Sequence, residues 1–219
     1  MARTDTAANG RLTLVGWYRS PYARRVAITM RHYGLDYDHR PITAWDRFDD
    51  VAAVNPIVKV PVLITEDGQA IPESAAILDY LDCRVGPGRA LTPPPGPLRD
   101  DVRRIVAVAT AVIDKARELR YEVHLRPETL RYDAFVDRWC GQISSAIAAL
   151  DALVEPPHAA GETFTQADVT LGVMYDMVQD MHPGLLPRKR YPRLDILADA
   201  YRATPEFQAT ALEPVERPP

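Results

Sequence analysis

The chain has 219 residues, 47% of them hydrophobic and 26% charged, which gives room for one large or two modest domains and excludes a disordered chain. Acidic residues outnumber basic ones by 30 to 26, for a net charge of −4, so no general attraction to nucleic acid or to a membrane surface is expected. Only two cysteines occur, Cys83 and Cys140, which excludes a disulfide scaffold and points to reduced thiols in the cytoplasm. No run approaches the roughly 18 unbroken apolar residues of a membrane span, and the polar start does not read as a signal peptide.

In chain order, residues 12–17 (Leu-Thr-Leu-Val-Gly-Trp) read as a buried strand. Residues 23–33 form an amphipathic helix, with Ala23, Val26, Ala27, Met30 and Tyr33 on one face and Arg24, Arg25, Arg31 and His32 elsewhere. Gly34 ends it. A second strand is predicted over 37–42. Residues 61–65 and 69–71 flank Glu66-Asp67-Gly68, whose Asp-Gly pair signals a hairpin. Residues 74–84 close this half as a helix, with Ile77, Leu78 and Leu81 inward. The order implies a mixed sheet covered by helices.

Residues 86–97 are rich in proline and glycine, and proline can neither donate a backbone hydrogen bond nor continue a helix, so this stretch separates two halves. Beyond it the pattern is helical throughout. Leu98, Val102, Ile105, Ala109, Val112, Ala116 and Leu119 recur at spacings of three and four, as do Ile143, Ile147 and Leu150. Thr165-Gln166-Ala167-Asp168 fits a capping box, with Phe164 and Val169 at the flanking staple positions. That makes Asp168 structural. The chain is thus α/β followed by all-α, with loose termini at 1–10 and 213–219.

Common catalytic signatures are missing: there is no nucleophile elbow, no phosphate loop and no His-Glu-x-x-His, and the five histidines show no metal-ligand spacing, so no metal is expected. Arg188-Lys189-Arg190 reads as a solvated turn. What stands out is Ser20-Pro21-Tyr22-Ala23-Arg24-Arg25, where the first strand meets the first helix. Serine is a natural N-cap there and proline a natural first helical residue. Either Ser20 only caps, or an anion also sits above that helix end, drawn by free amides and the helix dipole.

These residues carry a resemblance. Ser20 to Arg25 lies where thioredoxin-like proteins have Cys-Pro-Tyr-Cys. Lys59-Val60-Pro61-Val62-Leu63 is similar to the Val-Pro segment that holds their cis-proline. Pro72-Glu73-Ser74-Ala75-Ala76-Ile77 resembles the Glu-Ser-x-x-Ile motif of cytosolic glutathione S-transferases. Asn55-Pro56, the capping box and Tyr191-Pro192-Arg193-Leu194 follow in the same order. Across residues 11–208 the sequence resembles that family, with serine at the omega-type cysteine position. The resemblance implies a thioredoxin-like βαβαββα glutathione-binding domain (11–85), a linker (86–97) and an all-helical domain (98–212), assembled as a cytoplasmic homodimer.

The resemblance also implies roles. Ser20 would donate its hydroxyl to the glutathione sulfur. The backbone of Val60, before a cis Pro61, would pair with the cysteinyl part of the peptide. Glu73 and Ser74 would hold the γ-glutamyl end, and Lys59 the glycine carboxylate. Glutathione is then a co-substrate, with no permanently bound cofactor, and its thiolate attacks a small hydrophobic electrophile, a detoxification chemistry. The second-substrate pocket would draw on Trp17, Tyr18 and Tyr22 from the first loop and on Arg117, Arg120 and Tyr121 beyond the linker. Tyr18 is a rival thiol activator, although counting back from Gly34 without gaps sets Ser20 at the omega-type cysteine position. With serine there, thiol-disulfide exchange is disfavoured, and Cys83 and Cys140 are expected to be packed. Tyr18-Arg19-Ser20 does not reproduce the Ser-Ser-Cys start of zeta-class isomerases, so maleylacetoacetate isomerisation is not expected. A non-catalytic binding or regulatory protein of the same fold is the alternative, and the intact Val-Pro and Glu-Ser motifs count against it.

Overall fold

Four short strands carry the first half of the molecule. The computed structural model describes residues 10–212; the expectation of loose termini otherwise falls on 1–9 and 213–219, outside the described residues. Strand β1 (Leu12–Val15) is buried along its whole length. It pairs in parallel with β2 (Tyr37–Arg40) and antiparallel with β3 (Val62–Ile64), which pairs antiparallel with β4 (Ala70–Pro72), giving the order β2-β1-β3-β4. The β3–β4 turn closes as its Asp-Gly pair predicts, with the Thr65 N–H donating to the Gln69 carbonyl at 2.8 Å.

Helix α1 (Pro21–His32) crosses between β1 and β2, α2 (Phe48–Ala52) lies in the connection to β3, and α3 (Ser74–Val85) follows β4. This is the thioredoxin-like βαβαββα order. The first strand is shorter than predicted: it stops at Val15, because Gly16 takes φ +134° and turns the chain out of the sheet. The amphipathic reading of α1 also needs correction. Arg24 and Arg25 are each only 3% exposed. For Arg24 part of the cause lies far away in sequence, where the short helix α8 (Pro205–Gln208) packs on α1 and the Arg24 guanidinium lies 5.4 Å from the centre of the buried Phe207 ring.

The chain divides into two units, residues 10–90 together with 205–212, and residues 91–204. Residues 205–212, which the sequence suggests for the helical domain, group with the first unit. The second unit is helical: α4 (Pro97–Arg120) runs into a π-helical turn (Tyr121–Leu125) and a 3-10 turn (Glu128–Leu130), followed by α5 (Asp133–Leu153), α6 (Gln166–Met181) and α7 (Pro192–Arg202). The predicted stripes are buried from Val102 to Leu119 and at Ile143, Ile147 and Leu150. Leu98, at the helix start, is 36% exposed and instead covers Gly161.

Helix α6 is buried on all sides through Val178, and its start is held by the predicted capping box. The Asp168 carboxylate accepts from the Thr165 N–H at 2.7 Å and from its hydroxyl at 2.8 Å. It also accepts from the Ala159 N–H and the Tyr201 hydroxyl, both at 2.7 Å. A fully buried carboxylate is tolerable only with such a set of donors. No helix among the described residues is long and apolar enough to cross a membrane.

Candidate functional site

Strand β1 ends against the loop that carries Ser20. A Cβ on Gly16 would stand 3.0 Å from the Ala23 Cβ and 3.1 Å from the Val60 Cβ. The missing side chain thus lets the start of α1 and the segment before β3 close on the end of β1. The Ser20 N–H donates to the Trp17 carbonyl at 3.1 Å, turning the chain into α1, and Pro21 takes a first-turn position. Ser20 Oγ accepts from the Ala23 N–H at 3.4 Å. That long bond leaves the hydroxyl proton free to be donated elsewhere. The first turn of α1 contains no acidic side chain, so the positive helix end is uncompensated.

A second segment arrives before β3. The Val60–Pro61 bond is cis, and Val58 takes φ +51°. Asn55, 1% exposed, ties this loop together: its Nδ2 donates to the Lys59 carbonyl at 2.8 Å and its Oδ1 accepts from the Ile57 N–H at 3.2 Å. Among the described residues the Val60 backbone groups form no hydrogen bond. The Lys59 side chain is exposed.

The third segment follows β4. Val15, Val62 and Pro72 lie in one row of the sheet, so the chain beyond Pro72 emerges beside Pro61. Glu73 takes φ 69° and ψ 126°, which for a residue other than glycine costs about 1–3 kcal/mol and persists only where the surroundings impose it. Ser74, buried, opens α3, which like α1 has no acidic side chain in its first turn. Ser20, Val60, Pro61, Glu73 and Ser74 are therefore gathered at one end of the sheet, with two helix N-termini.

Tyr18 turns away toward β2. Its ring stacks on His39 with centroids 4.1 Å apart and planes 6° from parallel, and its hydroxyl lies 3.0 Å from that of Tyr37. Of the other residues expected for a second substrate, Trp17 and Tyr22 are half-buried beside Ser20 in sequence. Arg117 on α4 lies 3.8 Å from Asp114. Tyr121, 41% exposed, lines an open cleft of about 500 Å³ in the helical unit together with Leu125, Pro127 and Trp139. Sequence reasoning missed Trp139 and the Tyr37–His39 pair, although the alternation of a strand sets 37 and 39 on one face. Cys140 is half-buried, and burial, aided by Asp137, raises its thiol pKa. Cys83 is exposed, contrary to expectation, because it falls on the solvent side of α3.

Residues 14–90 match the glutathione S-transferase N-terminal domain and residues 133–195 the C-terminal domain of the same family. A protein of Oryza sativa subsp. japonica, "Probable glutathione S-transferase GSTU6", is 33% identical over 177 residues, 76% of this chain and 72% of that one. The chain belongs to the glutathione S-transferase family. Among solved structures, a glutathione S-transferase of Methylobacillus flagellatus with GSH bound is 29% identical, with a TM-score of 0.85 over 91% of this chain and 98% of that one. A Vibrio cholerae protein named "Probable maleylacetoacetate isomerase" is 29% identical over 214 residues, 92% of this chain and 96% of its own length. The relatives of this chain thus carry both transferase and isomerase names, while its residues 18–20 keep the departure from the Ser-Ser-Cys start noted above.

Proposed function

We propose that this protein binds glutathione at the sheet end described above and that Ser20 stabilises the glutathione thiolate for attack on a small hydrophobic electrophile. The convergence of three segments around Gly16 carries this reading, because it sets the Ser20 hydroxyl, with a proton to give, on the same sheet end as the unpaired Val60 backbone. In this reading Val60 and the cysteinyl unit pair as a short antiparallel strand, next to Pro61. Ser74 and the opening amides of α3 receive the γ-glutamyl carboxylate, Glu73 its ammonium group, and Lys59 the glycine carboxylate.

The energetics are adequate. A thiol titrates near ~8.5, and appreciable thiolate at neutral pH needs a shift of one to two units, roughly 1.4–2.7 kcal/mol. A hydrogen bond to a charged group supplies about 1.5–3 kcal/mol and a helix N-terminus roughly 0.3–1. The thiol proton leaves to solvent, and the sulfur lone pair then forms the carbon–sulfur bond. The leaving group departs with its bonding pair or, in an addition, the pair moves onto the electrophile. Tyr18 is the lesser candidate as activator, since its ring and hydroxyl are engaged with His39 and Tyr37. Trp17 and Tyr22, beside Ser20 in sequence, are the proposed contacts for the second substrate. A homodimer in the cytoplasm belongs to the same reading, by family likeness.

A second reading is glutathione-dependent cis–trans isomerisation, favoured by the full-length likeness to the Vibrio cholerae protein. There the thiolate adds to a conjugated double bond and is expelled again after rotation. One experiment separates the readings: binding to immobilised glutathione, then turnover of a panel of aryl halides, enones and maleyl compounds by wild type and Ser20→Ala. Conjugates that retain glutathione, formed at least about tenfold more slowly by Ser20→Ala, support the transferase reading. Isomerised product free of glutathione supports the second. Binding without turnover would identify a non-catalytic member of the fold, and equal rates for both proteins would remove Ser20 from the mechanism.

A further inference from the structure

We propose that Tyr18, His39, Tyr37 and Arg31 form a brace that fixes the turn of residues 17–20, making His39 and Tyr37 positioning residues for Ser20. This rests on the role proposed above for Ser20. The turn leaves the sheet at Gly16, whose N–H still bonds to the Arg40 carbonyl at 2.9 Å while the His39 Nε2 bonds to the Gly16 carbonyl at 2.8 Å. Position 16 is thus held from both sides by adjacent residues of β2. Two residues on, the Tyr18 ring lies flat on the same His39 imidazole. Its hydroxyl meets that of Tyr37, which stands on the same face of β2 as His39. Arg31, from the last turn of α1, completes the arrangement. Its guanidinium lies 5.8 Å from the centre of the Tyr37 ring and interacts with both phenols. Partial burial opposes its charge, but the two phenols outweigh that effect and raise its pKa. Burial likewise raises the Tyr37 pKa, so Tyr37 remains a neutral hydroxyl at physiological pH.

The brace thus holds the turn before Ser20 from one strand, while among the described residues Ser20 Oγ has a single long bond to keep it in place. The direction of the Ser20 hydroxyl therefore depends on the backbone that carries it, and that backbone depends on the Gly16 and Tyr18 contacts. Removing a member would leave glutathione binding at Val60, Glu73 and Ser74 intact while misplacing the donor to sulfur. Loss of one neutral hydrogen bond corresponds to about a threefold to tenfold change.

The experiment uses the full chain with His39→Leu and Tyr37→Phe, each alone and combined with Ser20→Ala. Tyr37→Phe removes a single oxygen and keeps the ring, so it tests the brace even if His39→Leu folds poorly. Three quantities are read: kcat and KM for glutathione with an aryl halide, and the pKa of bound glutathione from its thiolate absorbance. The expected result is kcat lower by about threefold to tenfold, KM changed by less than about twofold, and a higher bound-thiol pKa. In the Ser20→Ala background neither change should add a further effect. A normal thiol titration and kcat in both brace variants, with an altered one in Ser20→Ala, would overturn the brace and leave Ser20 in its role. Equal losses with and without Ser20 would also overturn it, by showing an effect that does not pass through Ser20. An unaltered titration in Ser20→Ala itself would remove the underlying reading and the brace together.

Discussion

Gly16 and Val60 meet across the end of the sheet with no room for a methyl group between them, since a Cβ at position 16 would lie 3.1 Å from the Val60 Cβ and 3.0 Å from that of Ala23. Gly16→Ala is therefore expected to push the Val60 segment away from α1, in addition to the strain of a side chain at φ +134°. The expected cost is about 2–4 kcal/mol in urea unfolding, with weaker glutathione binding in the fraction that folds. Unchanged calorimetric affinity would show that the two segments need not touch for the peptide to bind.

Glu73 gives the opposite combination. Its backbone sits where glycine is at ease, so Glu73→Gly should leave stability unchanged or raise it by up to about 1 kcal/mol. Glutathione affinity should fall at the same time, because the carboxylate proposed for the ammonium group is gone. Thermal unfolding and isothermal titration on the same sample would read both effects.

Asp168 is placed to affect folding alone. Asp168→Ala strips the acceptor from Thr165, Ala159 and Tyr201, all within the second unit. The expected loss is at least about 3 kcal/mol, read from chemical denaturation. In the native protein the buried Tyr201 hydroxyl donates to that carboxylate, and burial with the adjacent negative charge raises its pKa. Tyr201→Phe should therefore cost less than Asp168→Ala, since only one donor is lost.

His182 sets a pH dependence. Burial lowers its pKa despite the 2.8 Å bond from its ring Nε2 to the Ala116 carbonyl, and the nearby His124 and Arg120 act in the same direction. The unfolded chain takes up the proton near ~6.5 while the native chain resists it, so this residue subtracts stability as pH falls below that value. His182→Gln, whose amide can still donate to Ala116, should flatten the decline of melting temperature between about pH 6.5 and 5. An identical slope in wild type and variant would rule His182 out as its source.

What the sequence made legible was local or periodic. The Asp67-Gly68 turn, the Thr165–Asp168 box and the Val102–Leu119 stripe each declare themselves within a few residues, because caps, turns and helix faces are short-range physics. Ser20 at a helix start was legible in the same way. The burial of Arg24 was not, since what covers it includes a helix some 180 residues further on in the chain. Trp17 was misread as strand because a glycine at φ +134° looks in sequence like any other glycine. His39 escaped notice because its use depends on the parallel pairing of β2 with β1, which brings it opposite Leu14.

The position of Phe207 against Arg24 bears on synthesis. The first unit is discontinuous: its sheet and three helices are complete by residue 85, yet part of the cover of α1 comes from residues 205–208. On the ribosome, the Arg24 guanidinium can therefore meet the Phe207 ring only after nearly all of the chain has emerged.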